Sequence, residues 1–234
     1  MKFSAKFSRK QALFVLIFAA LALVADRINV SSIVGAPGQT FTLFQFFGPI
    51  AGAFLGAWLG IAAVLGAELV NFALLGKAVT AINVMRLFPM LFATWYFAKG
   101  KDAKAGIAVP LAAMALFWLN PIGLEAWPYA LYWLIPVGAR LFAADNLFAK
   151  SLGTTFTAHA VGSVAFLYAT GMAAPAWMAL IPQVAVERLL FGAGIACSFV
   201  VMNAVLAALT SRWKLEFLSI EPRYALFRSR TRRR

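Results

Sequence analysis

The chain has 234 residues, of which 63% are hydrophobic and 12% charged, whereas a soluble domain carries about 25% charged residues. Its mean hydropathy is +0.84 and its formal charge +13. A water-soluble fold cannot hide that much apolar surface, so composition argues against one and for a multi-pass protein of the cell membrane.

Lys2, Lys6, Arg9 and Lys10 precede an apolar run at 12–25 that ends in Asp26-Arg27. No small-residue cleavage site follows, so the run reads as a retained first span. "DRINVSSIVGAPGQ" reads as a loop, being rich in turn formers. Residues 40–76 are almost uninterruptedly apolar, and 37 residues exceed the roughly 20 that cross a bilayer. Gly48-Pro49 offers a break within them. Further spans are expected at 78–98, 105–119, 127–142, 152–170 and 182–210. The division is a helix bundle over 1–210 and a basic cytoplasmic tail over 211–234. The tail lies on the membrane surface or is loose in this reading, and is not a domain.

The fold class is therefore all-α, a polytopic transmembrane helix bundle. A break at Gly48-Pro49 gives eight spans with both termini cytoplasmic, and one tilted span over 40–76 gives seven. With eight, the inside holds four positive residues before Gln11, then Lys99, Lys101, Lys104, Arg140 and Lys150, and eight in the tail. Only Arg27 and Lys77 lie outside. The positive-inside rule favours this arrangement. The terminal clusters read as anchors facing anionic lipid, not as nucleic-acid-binding tails. Cys197 is the single cysteine, so no internal disulfide forms, and its apolar helix implies a buried, inert thiol.

"GPIAGAFLGAWLG" spaces Gly48, Gly52, Gly56 and Gly60 four apart, which on one continuous helix stacks them on one face. Such a face lets a second helix approach closely, within the bundle or in a partner subunit. Ionisable residues at membrane depth usually face the interior. Arg86, His159, Glu187 and Arg188 lie within spans, and Glu68 and Asn71 lie where the third span meets its outer loop. As a set they form a polar pocket in an apolar bundle. The hydroxyls of "SLGTTFTAHAVGS" are expected to bond their own helix backbone. His159 gains little from such bonding and is free to bind ligand, relay protons or pair with Glu187. "NPIGLEAWPYALYW" supplies Asn120 and Trp127 at the outer side, as an interfacial belt or as a wall against a flat ligand.

One histidine and one cysteine make no convincing metal site, and no cofactor is implied. G-x-x-x-x-G-K-[ST], G-x-S-x-G and H-E-x-x-H are all missing, and eight acidic residues leave little for general acid–base work. The chain is expected to bind or carry a molecule and not to be an enzyme.

"TLFQFFGPIAGAFLGAWLG" resembles the second-to-third helix region of the substrate-binding S components of energy-coupling factor (ECF) transporters, where a small-residue pattern follows Gly-Pro. "YFAKGKDAK" resembles their fourth helix, which ends in a basic cytoplasmic loop. "IPQVAVERLLFGAGIACSFVVMNAVLAAL" resembles their last helix, with Pro182 at its start and Glu187-Arg188 about one and a half turns on. The resemblance covers residues 1–104 and 180–234. Such subunits usually have six spans, so residues 105–170 would hold an extra hairpin. Their first helix often carries Ala-x-x-x-Ala, whereas here Ala19, Ala22 and Ala25 are three apart. The resemblance implies a binder of a vitamin-like small molecule held near the outer face. It also implies membrane lipid, a transmembrane coupling subunit and separate ATPase subunits as partners. A stand-alone proton-coupled secondary transporter, with His159 or Glu187 as proton site, and a non-catalytic membrane scaffold are the alternatives.

Overall fold

The structure is a computed structural model that describes residues 8–32, 40–99, 104–213, 215 and 217–225. Lys2, Lys6, Lys101, Lys214 and the arginines from Arg228 onward lie outside the described residues. About 81% of the structure is helical.

Helix α1 (Arg9–Ala25) opens on a capping box, in which the Gln11 N–H donates to the Ser8 hydroxyl and the Ser8 N–H to the Gln11 side chain. The loop expected after it holds a short antiparallel ribbon, β1 (Asn29–Ser32) with β2 (Thr40–Thr42), irregular between Asn29 and Ser31. Helix α2 (Phe44–Phe47) continues through a 3-10 turn at Gly48–Ile50 into α3 (Ala51–Leu55). Gly48-Pro49 is therefore not the break. Pro49 stands at the start of the turn, where its missing N–H costs nothing.

The break comes at Gly56, whose φ of 80° and ψ of 162° define a region open essentially to glycine alone. The chain reverses there into α4 (Ala57–Leu74). A Cβ on Gly60 would lie 2.5 Å from the Gly52 Cα, so α3 lies directly against α4. Gly48, Gly52, Gly56 and Gly60 thus do not share one helix face. A Cβ on Gly52 would meet the Thr94 carbonyl at 2.6 Å, and one on Gly48 would meet Phe44 and Met90. Three of the four glycines serve close approach inside the bundle, and the fourth turns the chain.

After α5 (Ala81–Met85), capped by the Thr80 hydroxyl, come α6 (Phe88–Ala98) and α7 (Lys104–Leu119). Three short pieces follow: α8 (Pro121–Glu125), α9 (Trp127–Ala130) and a 3-10 turn at Leu131–Trp133. They lead into α10 (Leu134–Phe142). Helix α11 (Leu147–Thr170) starts at the Asn146 cap and stops at Gly171, which is left-handed at φ 62°. Then come α12 (Ala174–Ala179) and α13 (Ile181–Trp213). Helix α11 is the hub, packed against α6, α7, α10 and α13.

Contacts sort the molecule into two ends. At one, Lys10 donates to the Trp213 carbonyl at 3.1 Å, and Ser219 N–H to the Phe54 carbonyl at 3.0 Å. There Arg140, buried, donates to the carbonyls of Tyr96 and Lys99 and so caps the end of α6. Lys150 lies 4.2 Å above the Phe97 ring, and Arg223 reaches the Asp145 carbonyl. At the other end Asp26, the ribbon, Asn71, Arg86 and Glu187 meet. The first end gathers basic residues and the second holds a cavity.

Ala57–Leu74 and Ile181–Thr210 are long and apolar enough to cross a membrane. Around the bundle, large apolar side chains stand exposed, including Trp58, Leu74, Val186 and Val201. Cys197 is exposed among them on α13, and the buried thiol expected from its apolar surroundings does not occur. Helix α13 passes the expected boundary at 210. Beyond it, part of the tail packs back: Leu218 is buried, and the Asn203 amide both donates to the Glu221 carbonyl at 2.9 Å and accepts its N–H at 2.8 Å.

Candidate ligand-binding site

The cavity, of about 210 Å³, is bounded by α4, α5 and the ribbon on one side and by α9, α11 and α13 on the other. Elements before α7, from Asp26 to Pro89, supply about half of its lining. Six expected residues line it: Glu68, Asn71, Arg86, His159, Glu187 and Arg188. Asn120 and Trp127 do not. The Asn120 side chain accepts the Ile122 N–H and caps α8, while Trp127 is exposed and its carbonyl accepts the Trp118 indole N–H. An Asn before Pro121 is better explained as a helix cap than as a ligand contact.

Arg188 is 2% exposed. Its guanidinium carbon lies 4.2 Å from the Phe191 centroid and 4.7 Å from that of Phe41, a cation–π arrangement. Nη1 donates to the Thr155 hydroxyl at 3.3 Å and Nη2 to Glu187 Oε2 at 3.5 Å, both long, and Nε has no partner. Leaving a buried donor unmatched costs about 1–3 kcal/mol, and more on a charged group. Glu187 is better served: Oε1 accepts from Ser31 Oγ at 2.6 Å and from Gln183 at 3.0 Å. Glu187 thereby ties α13 to the ribbon, and Arg86 ties α5 to the same ribbon by donating to the Thr40 carbonyl at 3.3 Å. Ser32, Thr40, Phe41 and Thr42 of the ribbon line the cavity between these two ties.

On the opposite wall, Asp26 accepts from Thr42 Oγ1 at 2.7 Å and from the Asn71 amide. Glu68 Oε2 and Asn71 Oδ1 are buried acceptors without a donor. They border a void of about 10 Å³ next to the main cavity, which Asp26 also lines. Asp26, Ser31, Thr42, Phe41 and Gln183 were not anticipated as site residues. Asp26 reads in sequence as the polar stop of a span, and the ribbon reads as a loop. The alternating "TFT" run was the available signal for a strand.

His159 is held between two aromatic partners. Trp133 Nε1 lies 3.1 Å from Nδ1, and Tyr129 OH 2.8 Å from Nε2. An indole N–H only donates, so Nδ1 accepts and the ring is neutral with its proton on Nε2. That proton goes to the Tyr129 oxygen, and the Tyr129 hydroxyl hydrogen is left to face Ser163 at 3.4 Å or the cavity. His159 makes no pair with Glu187. Of the nearby hydroxyls, Thr154 and Thr157 bond their own helix backbone as expected, while Thr155 turns to Arg188.

Among the described residues no group of three or more His, Cys, Asp or Glu forms that could hold a metal ion. Comparison with models of known protein families, with curated proteins and with solved structures finds no match.

Proposed function

We propose that the chain is a multi-pass membrane protein that captures a small organic molecule in this cavity, as the substrate-binding subunit of a transporter of the energy-coupling factor kind. The observation that carries the reading is a cavity whose walls hold buried, unpartnered polar atoms: Arg188 Nε, Glu68 Oε2 and Asn71 Oδ1. Ligand sites are mostly apolar hollows with a few placed polar groups.

Two helices of spanning length and the exposed apolar belt support a membrane setting. Eight passes fit the element order: α1; α2–α3; α4; α5–α6; α7; α8–α10; α11; α12–α13. The basic end, with Lys10, Lys99, Arg140, Lys150 and Arg223, then faces the cytoplasm under the positive-inside rule, and the cavity opens to the outside. The chain lacks a nucleotide-binding motif, so ATPase subunits reached through a membrane coupling subunit supply the energy in this reading. The proton-coupled alternative fares worse. A second proton on His159 must go to Nδ1, which would break the Trp133 hydrogen bond inside an aromatic cluster of Phe117, Tyr129, Trp133 and Trp177.

Native mass spectrometry of the gently purified protein tests the proposal. Bound small molecule and co-purifying subunits should appear together. Proton-driven uptake by the purified chain alone in liposomes would replace this reading with a secondary transporter.

A further inference from the structure

We infer that the cavity takes an amphoteric molecule, one carrying both an amine and an acid group, with the acid at Arg188 and the amine at Glu68 and Asn71. The inference rests on the cavity being a ligand site, and it names the ligand's chemistry.

The two poles are built from different parts of the chain and face different electrostatic neighbours. Glu68 and Asn71 stand on α4 beside Asp26, whereas Arg188 stands on α13 beside Glu187 and Thr155. At the first pole the unpartnered atoms are both acceptors. The Asn71 amide nitrogen is committed to Asp26, so Oδ1 points away from it, and Asn71 is only 5% exposed. Two idle acceptors beside a carboxylate call for N–H donors, which an ammonium group supplies three at a time. A divalent metal ion fits less well, since such ions take six or more oxygen ligands or keep several waters, and among the described residues no group of three or more His, Cys, Asp or Glu gathers here.

At the second pole the unpartnered atom is a donor on a buried guanidinium. Its two hydrogen bonds are long, and its counter-ion Glu187 is shared with Ser31 and Gln183. An oxyanion is the partner that matches a guanidinium edge.

Charge balance selects an amphoteric ligand over two separate kinds of ion. The lining holds both acidic side chains (Asp26, Glu68, Glu187) and basic ones (Lys77, Arg86, Arg188), so neither sign dominates it. A ligand with one charge of each sign leaves that balance unchanged. A singly charged ligand brings an uncompensated charge into a partly buried site.

The full-length protein, purified gently in detergent, is first examined by native mass spectrometry with fragmentation of any released molecule. Thermal-shift titration follows with the twenty proteinogenic amino acids, each beside its decarboxylated amine and its deaminated acid. The expected result is a released molecule bearing both groups, or an amino acid that stabilises the protein while its two counterparts bind about tenfold or more weakly, the loss of one charge-assisted hydrogen bond. Glu68→Gln should lower affinity for that molecule by a similar factor and leave affinity for the acid-only counterpart unchanged. A released molecule lacking either group overturns the inference and leaves the ligand site standing. Counterparts that bind as well as the parent, or a Glu68→Gln variant of full affinity, do the same. A protein that releases nothing and responds to no probe overturns the ligand site itself.

Discussion

Glu187→Gln isolates the electrostatics of the site with almost no change of shape. Glu187 and Arg188 are sequence neighbours, with Oε2 and Nη2 3.5 Å apart and the arginine 2% exposed. The amide can still accept from Ser31 and Gln183, so the ribbon keeps its tie. What is lost is the counter-charge to a buried guanidinium whose Nε already lacks a partner. Removing one member of a buried pair costs about 3–5 kcal/mol. The 3.5 Å separation puts this pair toward the lower figure. For a chain of this size 3 kcal/mol corresponds to a fall of about 6–12 °C in unfolding midpoint. The double variant Glu187→Gln/Arg188→Met removes the stranded charge and should recover most of that loss. The assay is tryptophan fluorescence during thermal unfolding of detergent-purified protein without added ligand. A Glu187→Gln midpoint within a degree of wild type, or a double variant less stable than the single, would refute the account of Arg188 as an under-compensated buried charge.

Three other perturbations test other links. Gly56→Ala should cost about 1–3 kcal/mol through backbone strain alone, since nothing lies within 4 Å of its Cβ position. Gly60→Ala, whose Cβ would strike Gly52 backbone, should cost at least as much; equal, negligible effects on thermal unfolding would contradict both. Ser31→Ala removes a 2.6 Å hydrogen bond to a carboxylate, worth about 1.5–3 kcal/mol. It should speed ligand dissociation in stopped-flow measurements more than it slows association. In a Cys197→Ala background, cysteine at Lys77 should react with an impermeant maleimide on intact cells and cysteine at Lys99 only after permeabilisation. Reaction of Lys99→Cys from outside would reverse the proposed orientation.

The helical bundle was legible because apolar runs separated by polar breaks report solvent preference directly. The clustering of Glu68, Arg86, His159, Glu187 and Arg188 was legible because ionisable groups in such runs must find each other or a ligand. The turn at Gly56 was not, since four evenly spaced glycines are compatible with one straight helix. Only the backbone angle at Gly56 and the Gly52–Gly60 approach distinguish a reversal from a ladder. The ribbon was hidden because Gly35, Pro37 and Gly38 punctuate the sequence between its strands, which are only four and three residues long. Asn120 misled because a helix cap and a ligand contact call for the same polar side chain. Thr155 lay among hydroxyls expected to bond their own helix, and nothing in spacing marked it as the one facing Arg188.

The hydrogen bond from Ser31 to Glu187 joins positions 156 residues apart in the chain. During synthesis the ribbon emerges well before the helix that bears its anchor. Until α13 docks, the ribbon has no Glu187 to hold and the cavity has no Arg188 wall, so a nascent chain lacks the binding site. Ligand affinity is then a measure of finished assembly. A molecule that binds only the assembled site draws late or slow-docking chains toward it by mass action. Under the proposed function, the ligand would thus also aid folding, stabilising completed protein by an amount that grows with the logarithm of its concentration.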